Sequence, residues 1–283
     1  MKVLFIEPFY GGSHRLFADS VAACSAHEVT LLTLPASFWK WRLRGGHLSL
    51  AEKISRLGGS FDRVVTTDML SLAELKGTLP SLAPLPATGY FHESQLSDPG
   101  PKGEAPDVHF GFTNISTALA ADRLVFNSEF HRREFLDGIG TFLRAMPDHP
   151  PRGIREKLAP KSSVVFPGVD CRELDRVPPP PRAEKPLTIL WNHRWVFDKG
   201  PEVFFGTLRK LVARGIDFRV HLLGENFQVK PKPFLEARDF LGERLATYGF
   251  LESREDYIAA LRDSDVVVST AIHEFYGIAV MEA

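Results

Sequence analysis

The chain has 283 residues, 44% of them hydrophobic, and its 34 lysines and arginines nearly balance its 35 aspartates and glutamates, leaving a net charge of −1. This length predicts one large or two medium domains, and the near-neutral charge excludes a globally basic nucleic-acid binder, so that any RNA contact must be local. The two cysteines, Cys24 and Cys171, form neither a disulfide framework nor a metal-ligand spacing, which favours a reducing, cytoplasmic compartment.

The first predicted element is a short apolar strand, Val3 to Ile6, of the kind buried on both faces of a parallel sheet. Glu7-Pro8 ends this run too soon for a signal peptide, and no run of about 18 apolar residues predicts a membrane span. A loop with Gly11 and Gly12 follows, and then a helix with Ser13 as its N-cap. This is not a dinucleotide fingerprint, and the loop is either a phosphate or sugar cradle or a tight turn.

Aromatic and basic residues alternate after the second predicted strand, Glu28 to Leu34, in a segment without acidic residues. The candidate contacts in this segment are Trp39, Lys40, Trp41, Arg42 and Arg44. Such a strip could stack bases and hold phosphates. The alternative is an amphipathic loop that covers the edge of the sheet.

Polar residues follow the third and fourth predicted strands at the point where each strand ends. Asp68 follows the strand Arg63 to Thr67, and His92 follows the strand Ala87 to Phe91. In open α/β sheets, ligands bind outside the carboxyl ends of the strands. His92 is therefore a candidate site residue, although a lone histidine is often structural.

A proline-rich stretch marks the predicted joint between two domains. Before it, the sequence predicts a flexible loop at Asp98–Pro106, a helix at Asn114–Ala121, and strands at Arg123–Phe126 and Ser163–Phe166. Four consecutive prolines begin at Pro178, and polyproline is stiff and extended. We therefore predict an acceptor-side domain at 1–177, a linker at 178–186, and a nucleotide-sugar-binding domain at 187–283.

The strand-helix pattern restarts after the linker with a strand at Leu187–Asn192 and a helix from Pro201. Arg194 and Lys199 frame the loop between them. Two cations beside a helix N-terminus form a strong diphosphate site. Further strands are predicted at 218–223, 245–250 and 266–268, and a helix at 255–262.

The last ten residues carry two carboxylates eight positions apart, Glu274 and Glu282. Phe275, Tyr276 and Gly277 lead into a helix whose free backbone N–H groups could bind a phosphate. Glu274 would lie on the loop near the donor, and Glu282 would accept the hydroxyls of a ribose. The alternative is an acidic residue near a helix start and an ordinary surface glutamate.

Two parallel-sheet domains of this kind predict a nucleotide-sugar transferase. Cations neutralise the leaving diphosphate, a carboxylate holds the ribose, and the opposite wall holds the acceptor. Because no acidic metal motif is convincing, we predict no metal site and no obligatory cofactor, and Arg194 with Lys199 would stabilise the leaving group.

Arg194, Lys199-Gly200 and the Glu274/Glu282 pair resemble the retaining glycosyltransferases of family 4. Their GT-B fold has two Rossmann-like domains facing a cleft. Further motifs resemble the tRNA-queuosine α-mannosyltransferase subfamily over nearly the whole chain. These are Ile6 to His14, Trp39 to Arg42, Phe91 to Leu96, Asn127-Ser128, Trp191 to Trp195 and His273 to Gly277.

The resemblance implies a GDP-mannose donor and, as acceptor, a queuosine hydroxyl in tRNA. It implies that Arg194 and Lys199 bind the diphosphate, that Glu282 holds the ribose, and that Glu274 and the amides after it contact the sugar or phosphate. Gly12 would approach the phosphates, and His92 would lie near the transferred sugar. In this family, front-face attack with the leaving phosphate as base makes a side-chain nucleophile unnecessary.

The family normally continues beyond the position of Ala283, so we expect a C-terminally incomplete second domain with weak donor affinity. Three alternatives stay open at this stage. One is a family 4 enzyme that acts on a lipid, polysaccharide or small-molecule acceptor. Another is a nucleotide-sugar- or RNA-binding protein without turnover. The third is a sugar-nucleotide epimerase of similar fold, which would need no second substrate.

Overall fold

A computed structural model describes residues 1–96, 107–180, 185–224 and 232–283. The chain divides into two compact units, Met1–Gly168 and Val169–Ala283. Each unit is built on its own parallel sheet with helices between the strands. The α/β class that the sequence predicts is therefore confirmed. Within the described ranges, no helix is both long and apolar enough to cross a membrane.

The first unit contains a six-stranded sheet in the order β2-β1-β3-β4-β5-β6. Its strands are β1 (Lys2–Tyr10), β2 (Glu28–Pro35), β3 (Arg63–Thr67), β4 (Ala87–Phe91), β5 (Arg123–Phe126) and β6 (Ser162–Val164). All the paired strands are parallel. Their carboxyl ends therefore lie along one edge of the sheet, which is where ligands bind in such folds.

The helices of the first unit cover both faces of this sheet, as continuous apolar strands require. They are α1 (Gly12–Cys24), α2 (Trp39–Leu57), α3 (Leu72–Thr78), α4 (Val108–Ala120), α5 (Glu129–Arg144) and α6 (Ile154–Leu158). Leu4, Ile6, Phe91 and Phe126 lie at the centre of the core.

The second unit contains a four-stranded sheet in the order β10-β7-β8-β9. Its strands are β7 (Leu187–Asn192), β8 (Phe218–Leu223), β9 (Leu245–Gly249) and β10 (Val266–Val267). Its helices are α7 (Cys171–Asp175), α8 (Pro201–Ala213), α9 (Lys232–Leu241), α10 (Arg254–Asp263) and α11 (Ile278–Glu282). Its main core is aromatic, with Trp191 stacked on Phe204 and Trp195 stacked on Phe234.

The first strand is longer than the sequence predicts, and the Gly-Gly loop is correspondingly shorter. β1 continues through Glu7 to Tyr10, with a register shift against β2 between those two residues. Pro8 lies in this shift, and a proline is tolerated there because it has no N–H to donate to the ladder. The helix then begins at Gly12 with Gly11 as N-cap, so the prediction that Ser13 caps it is wrong.

The aromatic-basic strip is not a loop but forms the first two turns of α2. Trp39 begins the helix, and Phe38 precedes it in the left-handed region with a φ of 51°. The consecutive glycines at Gly45 and Gly46 obscured the helical pattern in the sequence. Packing explains the glycine at position 45, because the ring of Trp41 lies 2.5 Å from where the Cβ of a larger residue would be.

The boundary between the units lies ahead of the predicted linker. Helix α7 belongs to the second unit because its acidic side chains pair with α10. Glu173 accepts from Arg254 at 3.0 Å and Asp175 accepts from Arg262 at 2.7 Å. Residues 181–184 of the linker and the loop predicted at Asp98–Pro106 lie outside the described residues.

Candidate functional site

The first unit gathers four titratable side chains at the carboxyl ends of β1, β3 and β4. We call Glu7, His14, Asp68 and His92 the buried quartet, since none is more than 8% exposed. Glu7 lies in β1, His14 in the first turns of α1, Asp68 directly after β3 and His92 directly after β4. Their meeting follows from the parallel sheet, which brings the ends of neighbouring strands together.

Three donors hold the carboxylate of Glu7. Its Oε1 accepts from the backbone N–H of Phe9 at 2.8 Å and from the Thr67 hydroxyl at 3.2 Å. Its Oε2 lies 3.3 Å from Nδ1 of His14. A buried carboxylate needs such partners, because an unpaired charge in the interior is very costly. Glu7 is therefore a fixed anion beneath His14.

His92 is held by its backbone and by the rings around it. Its N–H donates to Oδ1 of Asp68 at 2.7 Å, and its carbonyl accepts from the Asn127 amide at 2.9 Å. The His14 and His92 ring centroids are 4.1 Å apart, and Tyr90 meets His92 edge-on at 4.8 Å. Among the described residues, Nε2 of His92 has no hydrogen-bond partner although it is buried.

The electrostatics of the buried quartet follow from burial and from the Glu7 anion. Burial lowers the pKa of His14, but the Glu7 carboxylate, together with Asp68 and Glu93, raises that pKa to about 9. Burial raises the pKa of Asp68 to about 7, against the opposing effect of His14. Burial, and then the positive charge on His14, lower the pKa of His92 well below its usual value. At neutral pH, His14 is thus an imidazolium and His92 is neutral.

Glu7, His14 and His92 each offer one metal-ligand atom, and these atoms lie within 4.8 Å of one another. Zinc binds nitrogen and oxygen ligands at about 2.0–2.2 Å, so these side chains would have to draw closer to share an ion. Glu7 already accepts from three donors, and the two imidazole rings pack against each other at a tilt. The arrangement fits an ion pair better than a metal centre.

The two glycines of the first βα turn serve different purposes. Gly11 is extended, but a Cβ there would lie 2.4 Å from the Cβ of Ala36. Gly12 has a φ of +51°, and nothing lies within 4 Å of where its Cβ would be. The backbone at Gly12 is thus open to a ligand, whereas Gly11 is required by packing.

In the second unit, the structure brings Lys199 and Glu274 together as an ion pair. Lys199 is 6% exposed, and its Nζ lies 3.0 Å from Glu274 Oε2, 3.2 Å from the His273 carbonyl and 3.1 Å from Asp198 Oδ2. The Glu274 carboxylate and the His273 carbonyl accept hydrogen bonds from this ammonium group, and Asp198 adds an ion pair. Lys199 therefore ties the loop before α11 to the loop before α8.

Arg194 follows the carboxyl end of β7 and is exposed. It lines a cavity of about 170 Å³. The other lining residues include Asn192, Gly224, Tyr257 and Ala279. The cavity thus opens between the ends of β7 and β8, the position where open α/β sheets bind ligands.

His193, beside Arg194, was not predicted as a site residue. It is 5% exposed, and its Nε2 has no hydrogen-bond partner within the described ranges. Burial lowers its pKa to about 4, so it is neutral at physiological pH. It also lines the cavity of Arg194.

Both carboxylate oxygens of Glu282 accept hydrogen bonds within the unit. Arg254 donates to Oε1 at 2.6 Å and the Tyr257 hydroxyl donates to Oε2 at 2.7 Å. Asn192 donates to the Tyr257 hydroxyl at 2.7 Å and to the Ala279 carbonyl at 3.2 Å. This network holds α11 against α10 and the end of β7.

The aromatic-Gly segment before α11 is partly packed. Phe275 is buried, and its ring meets His273 edge-on at 4.5 Å. Tyr276 is half-buried. Gly277 has a φ of +71° and is the N-cap of α11, a conformation that favours glycine.

Sequence reasoning found His92 but missed Glu7 and His14 as its neighbours. The available signal was the position of Glu7 within an otherwise apolar strand, where a carboxylate needs a partner. Asp68 carried the same strand-end signal as His92. The sequence could not show that α1 would return His14 to Glu7.

Comparisons with known proteins identify related families and folds. The family model described as the N-terminal part of tRNA-queuosine α-mannosyltransferase matches residues 2–169. A tRNA-queuosine α-mannosyltransferase of Drosophila melanogaster is 38% identical, and the match covers 99% of this chain and 76% of that protein.

Solved structures with low sequence identity share the fold. The N-terminal domain of Candida albicans trehalose-6-phosphate phosphatase matches with a TM-score of 0.69 at 11% identity, covering 99% of this chain and 80% of that one. A glycosyltransferase from Rickettsia africae ESF-5 matches with a TM-score of 0.66 at 16% identity, covering 99% of this chain and 76% of that one. At such identities the likeness concerns the fold alone.

Proposed function

Because the chain belongs to the tRNA-queuosine α-mannosyltransferase family, we propose that it transfers mannose from GDP-mannose to queuosine in tRNA with retention of configuration. The observation that carries the proposal is the 38% identity to a tRNA-queuosine α-mannosyltransferase over 99% of the chain. The match therefore includes both units. The general reaction is transfer of a sugar from a nucleotide sugar. That the donor is GDP-mannose is the more specific part of the proposal.

We assign the diphosphate to Arg194. Its guanidinium is exposed at the end of β7 and beside a cavity, and it offers a planar set of donors that suits phosphate oxygens. Stabilisation of a leaving diphosphate is worth most where charge develops in the transition state.

Lys199 is buried among three partners, and we infer that it releases one of them to bind a donor phosphate. Glu274 is the more exposed of its two carboxylate partners, with 34% of its side chain accessible against 23% for Asp198. We therefore propose that Lys199 exchanges Glu274 for a donor phosphate. The Glu274 carboxylate then becomes available to a sugar hydroxyl, and the backbone amides of Phe275, Tyr276 and Gly277 contact the donor.

Glu282 remains the proposed ribose ligand. Each carboxylate oxygen can accept two hydrogen bonds, and one site on each oxygen is taken by Arg254 or Tyr257. The remaining sites can accept the two ribose hydroxyls. The existing bonds keep the carboxylate in one orientation before the nucleotide binds.

In the first unit, we propose that His92 contacts the transferred sugar and that Gly12 admits a donor phosphate. The buried Nε2 of His92 lacks a partner among the described residues, and the space beside Gly12 is open. A neutral imidazole can bind an uncharged sugar hydroxyl as donor or acceptor. Gly11 is assigned to the packing of this turn.

The reaction that we propose needs no side-chain nucleophile. The bond between the anomeric carbon and the phosphate oxygen breaks, and the queuosine hydroxyl bonds to that carbon from the same face. The proton of the hydroxyl passes to the departing phosphate oxygen. With a tRNA acceptor and two exposed thiols, Cys24 and Cys171, we propose a cytoplasmic location.

Mass spectrometry of nucleosides tests this function. Queuosine-containing tRNA is incubated with the protein and GDP-mannose, and we expect a mass increase of one hexose on queuosine. If the tRNA is unchanged while GDP-mannose is bound or slowly hydrolysed, a transferase for another acceptor is favoured. If the donor binds without any turnover, a nucleotide-sugar-binding protein is favoured. UDP-glucose and GDP-glucose in parallel reactions test the donor.

Arg194→Ala should reduce kcat by roughly 100-fold or more, the magnitude typical for loss of one transition-state contact. The control is Arg209→Ala, because Arg209 is a surface arginine of the same unit that pairs with Glu236. The control should retain turnover. Near-normal turnover by Arg194→Ala would exclude the proposed role of Arg194.

A further inference from the structure

We propose that His14, ion-paired to Glu7, is a positioning residue that keeps His92 uncharged and correctly oriented for the transferred sugar. This inference rests on the proposed role of His92 and extends it to two residues outside the predicted site. It concerns the buried quartet of the first unit.

The geometry first supports a fixed orientation. His14 lies against His92 with ring centroids 4.1 Å apart and planes inclined by 38°, and the Phe17 ring meets His92 edge-on at 5.0 Å. Glu7 fixes His14 by its contact with Nδ1. Because Glu7 is itself held by Phe9 and Thr67, the His14 ring has little freedom to turn.

Charge then determines the protonation states. His14 is faced by Glu7 of β1, by Asp68 after β3 and by Glu93 after β4. His92 is faced by His14 of α1 and by His131 of α5, both of which disfavour a second positive charge. A proton in this cluster therefore resides on His14, where Glu7 balances it, and not on His92.

This arrangement suits glycosyl transfer. The sugar develops positive charge as the bond to its leaving group breaks, because the transition state resembles an oxocarbenium ion. An imidazolium at His92 would oppose that charge, whereas a neutral imidazole does not. The Glu7–His14 pair adds no net charge and can therefore lie behind His92 without the same penalty.

The decisive variant is His14→Gln in the full chain, read first by NMR titration of the histidine side chains. Loss of the neighbouring charge should raise the pKa of His92 by about 0.5 to 1 pH unit. The pH profile of kcat/KM should show the same change, with activity lost at a higher pH on the acidic side. His27→Gln is the matched control, because His27 is exposed, and it should alter neither the His92 titration nor the profile.

Glu7→Gln provides a second variant that retains both rings. Without the carboxylate, His14 should lose its proton near neutral pH, and the pKa of His92 should again rise. If neither variant changes the titration of His92, and both reduce kcat by the same factor at every pH, the proposal is wrong and the pair is only structural. Absence of glycosyl transfer by the unaltered protein would refute the proposed function, whereas the NMR titration would still decide the role of His14.

Discussion

At the scale of single residues, Gly200 shows how closely the two loops of the second unit approach each other. It has a φ of +62°, and a Cβ at this position would lie 2.3 Å from the carbonyl oxygen of Thr270. The same threonine donates to the Lys199 carbonyl at 2.8 Å, and Ile272 donates to the Asp198 carbonyl at 2.8 Å. Gly200 therefore permits the contact through which Lys199 reaches Glu274.

Gly200→Ala should destabilise the protein by about 2 kcal/mol or more, because left-handed backbone is unfavourable for alanine and the new methyl group meets a carbonyl. The matched control is Gly206→Ala in α8, where nothing lies within 4 Å of the added Cβ. A glycine in the middle of a helix is less favourable than alanine, so the control should be neutral or more stable by about 0.5–1 kcal/mol. Urea unfolding midpoints of the two variants measure the difference, and equal midpoints would contradict the close approach.

At the scale of elements, the first two turns of α2 separate the predicted RNA contacts into exposed and packed residues. Trp39 packs against Phe110 with ring centroids 5.3 Å apart. Arg42 is half-buried and donates to the Pro35 carbonyl and the Ser37 hydroxyl. Lys40 and Trp41 are exposed, the latter by 53%, whereas Arg44 lies 3.9 Å from Glu74.

We therefore expect Lys40 and Trp41 to contribute most to tRNA binding. Lys40→Ala should weaken binding of all tRNAs alike and reduce the slope of log K against log salt by about 1. Trp41→Ala should cost about 1–3 kcal/mol if a base stacks on the indole. The control is Lys53→Ala, which removes a positive charge from a later position in the same helix. Filter binding at several salt concentrations is the measurement. Unchanged affinity in both variants would remove α2 from the acceptor site.

The elements also show what the sequence could predict. The bounds of β3, β4, β5, β7 and β8 agree with the sequence prediction, because buried parallel strands are short apolar runs between polar loops. The start of α4 was missed: the helix begins at Val108 with Asp107 as its cap, before the predicted Asn114. Its early residues alternate polar and apolar types without a clear period.

The candidate site was predictable only in part, because the sequence indicates where strands end but not which side chains meet. Positions at strand ends can be read from the sequence, and this is why His92 and Arg194 are candidate site residues. Hydrogen-bond partners cannot be read in this way. The contacts of Lys199 with Glu274, Asp198 and the His273 carbonyl depend on how separate segments pack. The same is true of the hydrogen bonds that Glu282 accepts from Arg254 and Tyr257.

At the scale of the whole molecule, the buried quartet should make stability depend on pH. The pKa of Asp68 is raised to about 7 in the folded state, so its unfavourable ionisation increases as the pH rises from about 4 to 7. The pKa of His14 is raised to about 9, so its stabilising contribution is complete below about 6.5 and is lost as the pH rises through 9. Both effects reduce stability as the pH rises.

Asp68→Asn should therefore flatten this dependence. For the unaltered protein, we expect the Asp68 contribution to fall by about 2 kcal/mol between pH 5 and 7, and the variant should lack this decrease. Unfolding midpoints in urea at pH 5, 6, 7 and 8 provide the measurement. Asp217→Asn, at an exposed position, should follow the unaltered protein. Parallel curves for all three proteins would show that Asp68 does not ionise as proposed.

The positions of the two cysteines offer a direct way to study motion. Cys24 ends α1 in the first unit, Cys171 begins α7 in the second, and both thiols are exposed. The chain therefore carries one natural labelling position on each unit, with no other cysteine to compete. A maleimide dye pair or two nitroxide spin labels could report any change in the distance between the units when GDP-mannose is added, without engineering a single residue.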